Sequence, residues 1–497
     1  MRISLSDPKK FFVFSLLIIF TLINILIFIQ HSLENINSFW EIELGEGITL
    51  NEVYRLSAGL PIYKSLDTYP LIQVCYPPLS LWLMSLILPD NPDFMFGACR
   101  ILVFISSLAV SLIIFLIIKN LTNNWFSAFI GLGIYFSFTH ILMWGSLLRV
   151  DFPGILLMMF SLYLFMLTEN RNGFLRYLFA FPLILGLLAK HSLLAVPAGI
   201  FTFCLLEKDV RRLLALIGGF AAAGIIFLTI NITTRGEFFR HIFLYTSPIW
   251  SLDLLILQLP PVIIDFILYI PVLFFWFAGK LRLYKKYLLL SILLIFSALE
   301  LFAMSRVWCT SNFSLELFCI LSVVIPVAAF ELEKHYKNLI ALTYILLAII
   351  SSFIIRNSYF TVNPMYSYHL YGHKSNLYET PKIISKIKKE PGDVLTQKAS
   401  WSLLSDKKFI FDPMAMSLLE EKGLWNQNNF LKDIKNKKFS LIVLRFNVSD
   451  WPNVDSKYDF TDEIPFAIKQ NYDLEGTVYD AFIYKPKPEN KIIQKRK

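Results

Sequence analysis

The sequence predicts a polytopic α-helical membrane protein with about eleven transmembrane helices and a small α/β domain at its C-terminal end. Three observations predict it. Of 497 residues, 56% are hydrophobic and only 17% charged, too apolar a balance for water to solvate the whole chain. Apolar runs of roughly span length recur from the N-terminal end to about residue 355. From Arg356 onward the runs shorten to strand length and alternate with charged helical patterns, the mark of a separate α/β unit over 356–497.

The first run, Phe11 to Gln30, is about twenty residues, which at ~1.5 Å per residue covers a hydrocarbon core of ~30 Å. His31, Glu34 and Trp40 follow it where a signal peptide would have small residues, so it reads as a retained anchor. Further runs lie near 94–118, 123–145, 153–168, 174–189, 191–206, 210–230, 259–278, 287–304, 313–331 and 338–355. The run at 78–89, between Pro77-Pro78 and Pro89, is too short to span and reads as a juxtamembrane helix.

Lys and Arg in short loops set orientation. With 78–89 outside the count, Lys119, Arg171, Arg176, Lys208, Arg211, Arg212, Lys280, Arg282, Lys285, Lys286, Lys334 and Lys337 all fall on the side of Arg2, Lys9 and Lys10. Counting 78–89 as a span inverts that pattern. The expectation is therefore a multi-pass protein of the plasma or inner membrane with a cytoplasmic N-terminus. Residues 1–355 form its membrane domain, and the loop 31–93 and the domain from 356 are extracytoplasmic. The net charge of +9 belongs to these loops and a Lys-rich tail, and is no argument for nucleic acid. The chain has no P-loop, no Gly-rich dinucleotide fingerprint and no paired CxxC, which argues against an ATP-driven pump. Of five cysteines, only Cys75 and Cys309 fall in outer loops, where either a disulfide or free thiols fit.

In the C-terminal part, Asp393–Gln397, Lys408–Asp412, Ser440–Leu444 and Asp480–Pro486 read as strands. Pro381–Lys389, Ala415–Lys422, Asn428–Lys435 and Glu463–Gln470 read as helices between them, with Asp412-Pro413 as a turn in which Asp caps the following helix. His369 and His373 are four apart, a zinc-compatible spacing on a helix, but Gly372 between them and the lack of a third ligand favour loop histidines and no metal site.

The chemistry gathers on one side. Glu41, Glu43, Glu46 and Glu52 lie in the first outer loop, where "LNEVYRLSAGLPIY" has the apolar spacing of a short amphipathic helix ended by Gly59. Arg149 and Asp151 in "GSLLRVDFPG" sit at the outer end of one span, Lys190 and His191 at a tight outer turn, and Arg306 in another. Each alone reads equally as a solvated loop residue, an interfacial anchor or a local ion pair. A charge at membrane depth costs about 2.5 to 3.5 kcal/mol on insertion scales, so several converging on one side suggest a polar cavity. Carboxylates facing cations suit transfer to a hydroxyl from a lipid-linked phosphate donor: a carboxylate takes the acceptor proton, and Arg or Lys holds the departing phosphate.

"GEG" at 45–47 leading into "RLSAGLPIY", "YPPL" at 76–79, "RVD" at 149–151, "LLAKHSLLAVPA" at 187–198 and "SNFSLELF" at 311–318 occur in an order that resembles the GT-C class of membrane glycosyltransferases, in its aminoarabinose transferase and protein O-mannosyltransferase-like branch. The resemblance implies a glycosyltransferase moving a hexosyl or pentosyl unit from a polyprenyl-phosphate donor to an envelope acceptor, be it glycan, lipid or protein. It implies Glu46, Asp151 and Glu43 as catalytic acids, and Arg149, Lys190, Arg240 and Arg306 at the donor phosphate. His191, Tyr76, Asn312 and Glu316 would line the substrate site. No cofactor is required by it, and a divalent cation is left open. The chain departs from the pattern twice: the Asp-Glu pair of the first loop reads Gly45-Glu46, and the basic residue before the "PPL" region is Tyr76. Two other readings follow from the same features: a transporter or flippase for a lipid-linked saccharide, and a catalytically inactive GT-C relative.

Overall fold

A computed structural model describes residues 8–169, 171–246, 249–278, 285–307, 309–336, 340–355, 380–454, 459–479 and 481–488. His369, His373, Lys280, Arg282 and Lys337 lie outside the described residues.

Within hydrocarbon, backbone groups find partners only inside a helix, so each apolar run folds as one. Among the described residues six helices are long and apolar enough to cross a membrane: Pro8–Asn37, Pro92–Thr122, Val210–Thr233, Leu252–Phe277, Tyr287–Ser305 and Ser311–Lys334. Five shorter apolar helices, Trp125–Ser137, Asp151–Leu167, Phe174–Ala189, Ala195–Leu206 and Ile340–Ile354, fall at the remaining places the sequence predicts. Ser311–Lys334 is the central helix, 89% buried over its apolar window, whereas Pro8–Asn37 at 28% and Val210–Thr233 at 17% lie at the periphery.

Helix α1 (Pro8–Asn37) leads into the polar segment that carries α2 (Leu44–Ser57) and α3 (Pro78–Ser85). At eight residues, α3 is ~12 Å long and cannot span. Next come α4 (Pro92–Thr122), α5 (Trp125–Ser137), α6 (Thr139–Trp144), α7 (Asp151–Leu167), α8 (Ala180–Ala189), α9 (Ala195–Leu206) and α10 (Val210–Thr233). Local chemistry sets the boundaries. Asn91 caps α4 through the Asp93 N–H at 3.1 Å with Pro92 at its first position, and Asn123, at φ 51°, ends it in the left-handed region. Asn124 then caps α5 through the N–H groups of Phe126 and Ser127.

The C-terminal sheet has the order β1-β2-β4-β3. Strand β1 (Val394–Thr396) runs parallel to β2 (Leu441–Leu444), while β4 (Ala481–Pro486) is antiparallel both to β2 and to β3 (Tyr472–Val478). Three expected strands and all four expected helices form. Lys408–Asp412 does not join the sheet; its Phe411 makes a lone bridge to Leu71 instead. Strand β3 is an addition, an edge strand whose polar, largely exposed side chains carry no apolar run to announce it. The short helix Ala399–Leu403 is likewise unannounced.

That bridge is one of several contacts that tie the two parts of the chain together. The Leu71 N–H donates to the Ile410 carbonyl at 2.8 Å, and the Asp412 N–H to the Leu71 carbonyl at 2.9 Å. Leu66 and Leu71 share an apolar cluster with Phe411, Phe430 and Ile442, and Tyr69 Oη donates to Asp433 at 2.8 Å. The first polar segment is thus clamped between helix bundle and C-terminal sheet, and this fixes where the residues after Phe411 point.

Candidate active site

Glu46 takes a different place from the one expected of a catalytic base. It is fully buried, and all five donor hydrogens of Arg100, itself fully buried on α4, are spent around it. Arg100 Nε reaches Glu46 Oε1 at 2.8 Å and Nη2 reaches Oε2 at 2.7 Å; the remaining hydrogens go to the carbonyls of Asn35, Ser38 and Trp40. The Glu46 carboxylate also accepts the N–H groups of Ile42 at 2.7 Å, Glu43 at 3.3 Å and Leu148 at 2.7 Å. Burial pushes this carboxyl up, but Arg100 and the backbone donors outweigh it and hold it below the usual range. With every lone pair occupied and no place on a cavity wall, Glu46 is a structural clamp joining α1, α2, α4 and the α6–α7 connection.

Beside this clamp opens a cavity of about 300 Å³. Seven of the predicted residues line it: Glu43, Tyr76, Arg149, Lys190, His191, Arg306 and Asn312. Arg149 sits over Gly45 and bridges Glu43 Oε2 at 3.1 Å and Tyr76 Oη at 3.0 Å. A Cβ on residue 45 would lie 1.6 Å from Arg149 Nη1. The missing acid of the Asp-Glu pair therefore has a local reason: the guanidinium occupies the space a side chain at 45 needs. Tyr76, where a basic residue was looked for, supplies the hydroxyl that holds Arg149.

Lys190 rests on Asp151, which also accepts from Asn312 Nδ2 at 2.9 Å. Asp151 is buried and stands behind Lys190 rather than on the cavity wall. Its partner is thus Lys190 and not the sequence neighbour Arg149. Arg306 donates to the Thr246 carbonyl at 2.9 Å and keeps its Nε unpartnered, as does Arg149. His191 Nδ1 is buried without a partner, and burial with the Lys190 and Arg306 charges pushes the ring down to about 4, so it is neutral at pH 7.

Two predicted residues stand elsewhere. Arg240 is half exposed, pairs with Glu237 at 2.8 Å and does not line the cavity. Glu316 is buried and does not reach the cavity wall. Polar wall residues outside the expected site set include Glu52 from α2, Gln73, and Asp412 from the C-terminal domain. Glu52 carried a signal, since Gly45, Ile48, Thr49 and Glu52 have the spacing of one helical face; Asp412 did not, because contacts between distant chain segments, the Leu71 bridge among them, bring it here. Cys75 and Cys309 both line the cavity as free thiols. Among the described residues no group of three or more His, Cys, Asp or Glu side chains is placed to hold a metal ion.

The arrangement resembles solved structures at low sequence identity. ArnT from Cupriavidus metallidurans, bound to undecaprenyl phosphate, matches with a TM-score of 0.63 at 13% identity over 94% of this chain and 97% of that one. The archaeal oligosaccharyltransferase AglB from Archaeoglobus fulgidus, in complex with an inhibitory peptide and a dolichol-phosphate, matches with a TM-score of 0.55 at 12% identity over 97% of this chain and 75% of that one. Residues 76–234 match the family described as dolichyl-phosphate-mannose-protein mannosyltransferase. No curated protein matches the sequence. The chain is a multi-pass membrane protein that shares the fold of these two structures.

Proposed function

We propose that this protein is a glycosyltransferase that moves one hexosyl or pentosyl unit from a polyprenyl-phosphate donor to a hydroxyl of a cell-envelope acceptor. The observation that carries this reading is the convergence of Arg149, Lys190 and Arg306 on one cavity. Glu43 and Asp151 act in this reading as the positioning partners of Arg149 and Lys190. Cations so oriented are prepared for the charge that develops on a departing phosphate, and the planar Arg fork suits its oxygens. At about 300 Å³ the cavity lies at the small end of ligand sites, which favours a single sugar unit over a long saccharide. A transporter would need ionisable groups near the bilayer midplane, whereas these sit at helix ends. Purified protein in lipid nanodiscs is expected to bind undecaprenyl phosphate and to release it from at least one member of a panel of undecaprenyl-phosphate-linked pentoses and hexoses. The absence of both binding and release, for every lipid of the panel, sinks the proposal.

In this reading the cavity and the C-terminal domain face away from the cytoplasm. The support is charge placement: Asp151 opens α7 at the cavity, and beyond the far end of that helix Arg171, Arg176, Lys208, Arg211, Arg212 and Lys285 surround one cleft. A reporter fused after Lys435 is expected to be active only outside the cytoplasm, and one fused after Lys285 only inside; the opposite pair reverses the orientation.

Gly45→Ala tests the guanidinium seat. The added methyl cannot coexist with Arg149 at 1.6 Å, so Arg149 must leave Glu43 and Tyr76. Binding of undecaprenyl phosphate is expected to weaken about ten- to a hundredfold, the loss of one charge-assisted hydrogen bond of ~1.5 to 3 kcal/mol. Wild-type binding in this variant removes Arg149 from the phosphate.

A further inference from the structure

Glu52 projects from the third turn of α2, on the face that Gly45, Ile48 and Thr49 present to the cavity. Its side chain is only 1% exposed, and neither carboxylate oxygen has a hydrogen-bond partner. An unpartnered carboxylate is expensive to bury. A residue kept so has its acceptor positions open to whatever enters the cavity. Asp412 lines the same cavity from the other domain. It is held by its N–H bond to the Leu71 carbonyl and by capping the helix Pro413–Glu421 through the Ala415 N–H at 3.3 Å. Around Glu52 the other titratable groups are Tyr63, Cys75, Tyr76 and Arg149. Glu46 is saturated by Arg100 and backbone donors, and Glu43 holds Arg149 through Oε2.

We propose that Glu52 is the general base of sugar transfer, and that Asp412, supplied by the C-terminal domain, is a positioning residue that acts on it. The inference rests on the transferase reading. The acceptor hydroxyl gives its proton to the Glu52 carboxylate as its oxygen bonds to the anomeric carbon. The bond from that carbon to the phosphate oxygen breaks, and its electron pair leaves with the polyprenyl phosphate, which Arg149, Lys190 and Arg306 receive. Attack opposite the departing phosphate inverts the anomeric centre. Glu52 then passes its proton to water.

The electrostatics support the geometry. Burial and the Asp412 carboxylate push Glu52 well above its ordinary value of 4.5, with Arg149 pulling the other way. Burial lifts Asp412 itself to about 7, its capping hydrogen bond opposing and the Asp459 charge adding. A raised proton affinity makes Glu52 a stronger proton acceptor than an ordinary carboxylate. The like charge of Asp412 is thus part of the device, and removing it has a predictable sign: Glu52 ionises at lower pH.

The test uses full-length protein in nanodiscs and whichever undecaprenyl-phosphate-linked sugar of the panel the wild type consumes. Glu52→Gln is expected to cut turnover by about 10²- to 10⁴-fold, the range for a general base, while undecaprenyl phosphate binding falls far less. The glutamine also reports on folding. A buried carboxyl with a raised native value destabilises the protein as pH climbs from the unfolded-state value through the native one. The wild type should therefore lose thermal stability over that window, and Glu52→Gln should lose less, the raised Asp412 still contributing its share. Asp412→Asn is expected to move the acid limb of kcat/KM to lower pH; the position of the limb is the readout, not its height. Wild-type turnover in Glu52→Gln overturns the base role, and an unmoved limb in Asp412→Asn overturns the positioning role. A wild type that neither binds nor consumes any of these lipids overturns the transferase reading, and this inference with it.

Discussion

Arg100→Met is expected to destabilise the protein by about 3 to 5 kcal/mol, the range for breaking a buried ion pair by removing one partner. The variant strands the Glu46 carboxylate with backbone donors alone and leaves the carbonyls of Asn35, Ser38 and Trp40 without the guanidinium that ties them together. Because these carbonyls end α1 and begin the polar segment, the damage should spread from the clamp to the mouth of the cavity. Thermal unfolding in detergent, read beside the yield of folded protein from membranes, measures it. Glu46→Gln should show the same loss in milder form, since an amide can still accept some of the backbone hydrogens but leaves Arg100 buried and charged. The double variant Arg100→Met with Glu46→Leu should recover part of the loss, because an apolar pair of similar volume avoids the desolvation that the ions suffer. A folded Glu46→Gln protein with wild-type stability and no turnover would return Glu46 to a catalytic role.

The apolar runs announced their helices because lipid leaves the backbone no alternative, and the too-short run at 78–89 announced a helix that does not cross for the same reason of length. Site residues were legible where a cation stands at the end of an apolar run: Arg149, Lys190 and Arg306 are too expensive there to lack a partner or a task. What the pattern does not encode is who partners whom. Asp151 lies two residues from Arg149, yet it holds Lys190, because α7 begins at Asp151 and packs along α8, which Lys190 directly follows. Arg100 stood in the sequence in the middle of "GACRILVF", an ionisable group inside an apolar run and so a signal in its own right; choosing Glu46 as its mate over Glu41, Glu43 or Glu52 required the fold. Asp412 was legible as a cap and illegible as a wall of the cavity. Its position depends on a backbone bridge and the contacts around it between chain segments far apart, and such contacts leave no periodicity in either.

Lys190→Ala should weaken binding of undecaprenyl phosphate by about ten- to a hundredfold, the worth of one charged hydrogen bond at ~1.5 to 3 kcal/mol in a water-poor cavity. This single change confounds two effects, because Asp151 is then left buried with Asn312 as its side-chain partner and stability should fall as well. Lys190→Ala combined with Asp151→Asn separates them. The neutral amide no longer needs a cation, so thermal stability should recover toward wild type, while the phosphate still lacks its ammonium and binding should stay weak. Arg149 gives the complementary comparison. Its anchor is Glu43 with Tyr76, both on the cavity wall, and Arg149→Lys keeps the charge but loses the planar fork that reaches both at once. A phosphate held bidentately should feel that loss; one held only by the field of the cavity should not. If the double variant regains both stability and binding, Lys190 exists to neutralise Asp151. Unchanged binding in Arg149→Ala as well would leave the cavity without a phosphate site, and the transferase reading without its main support.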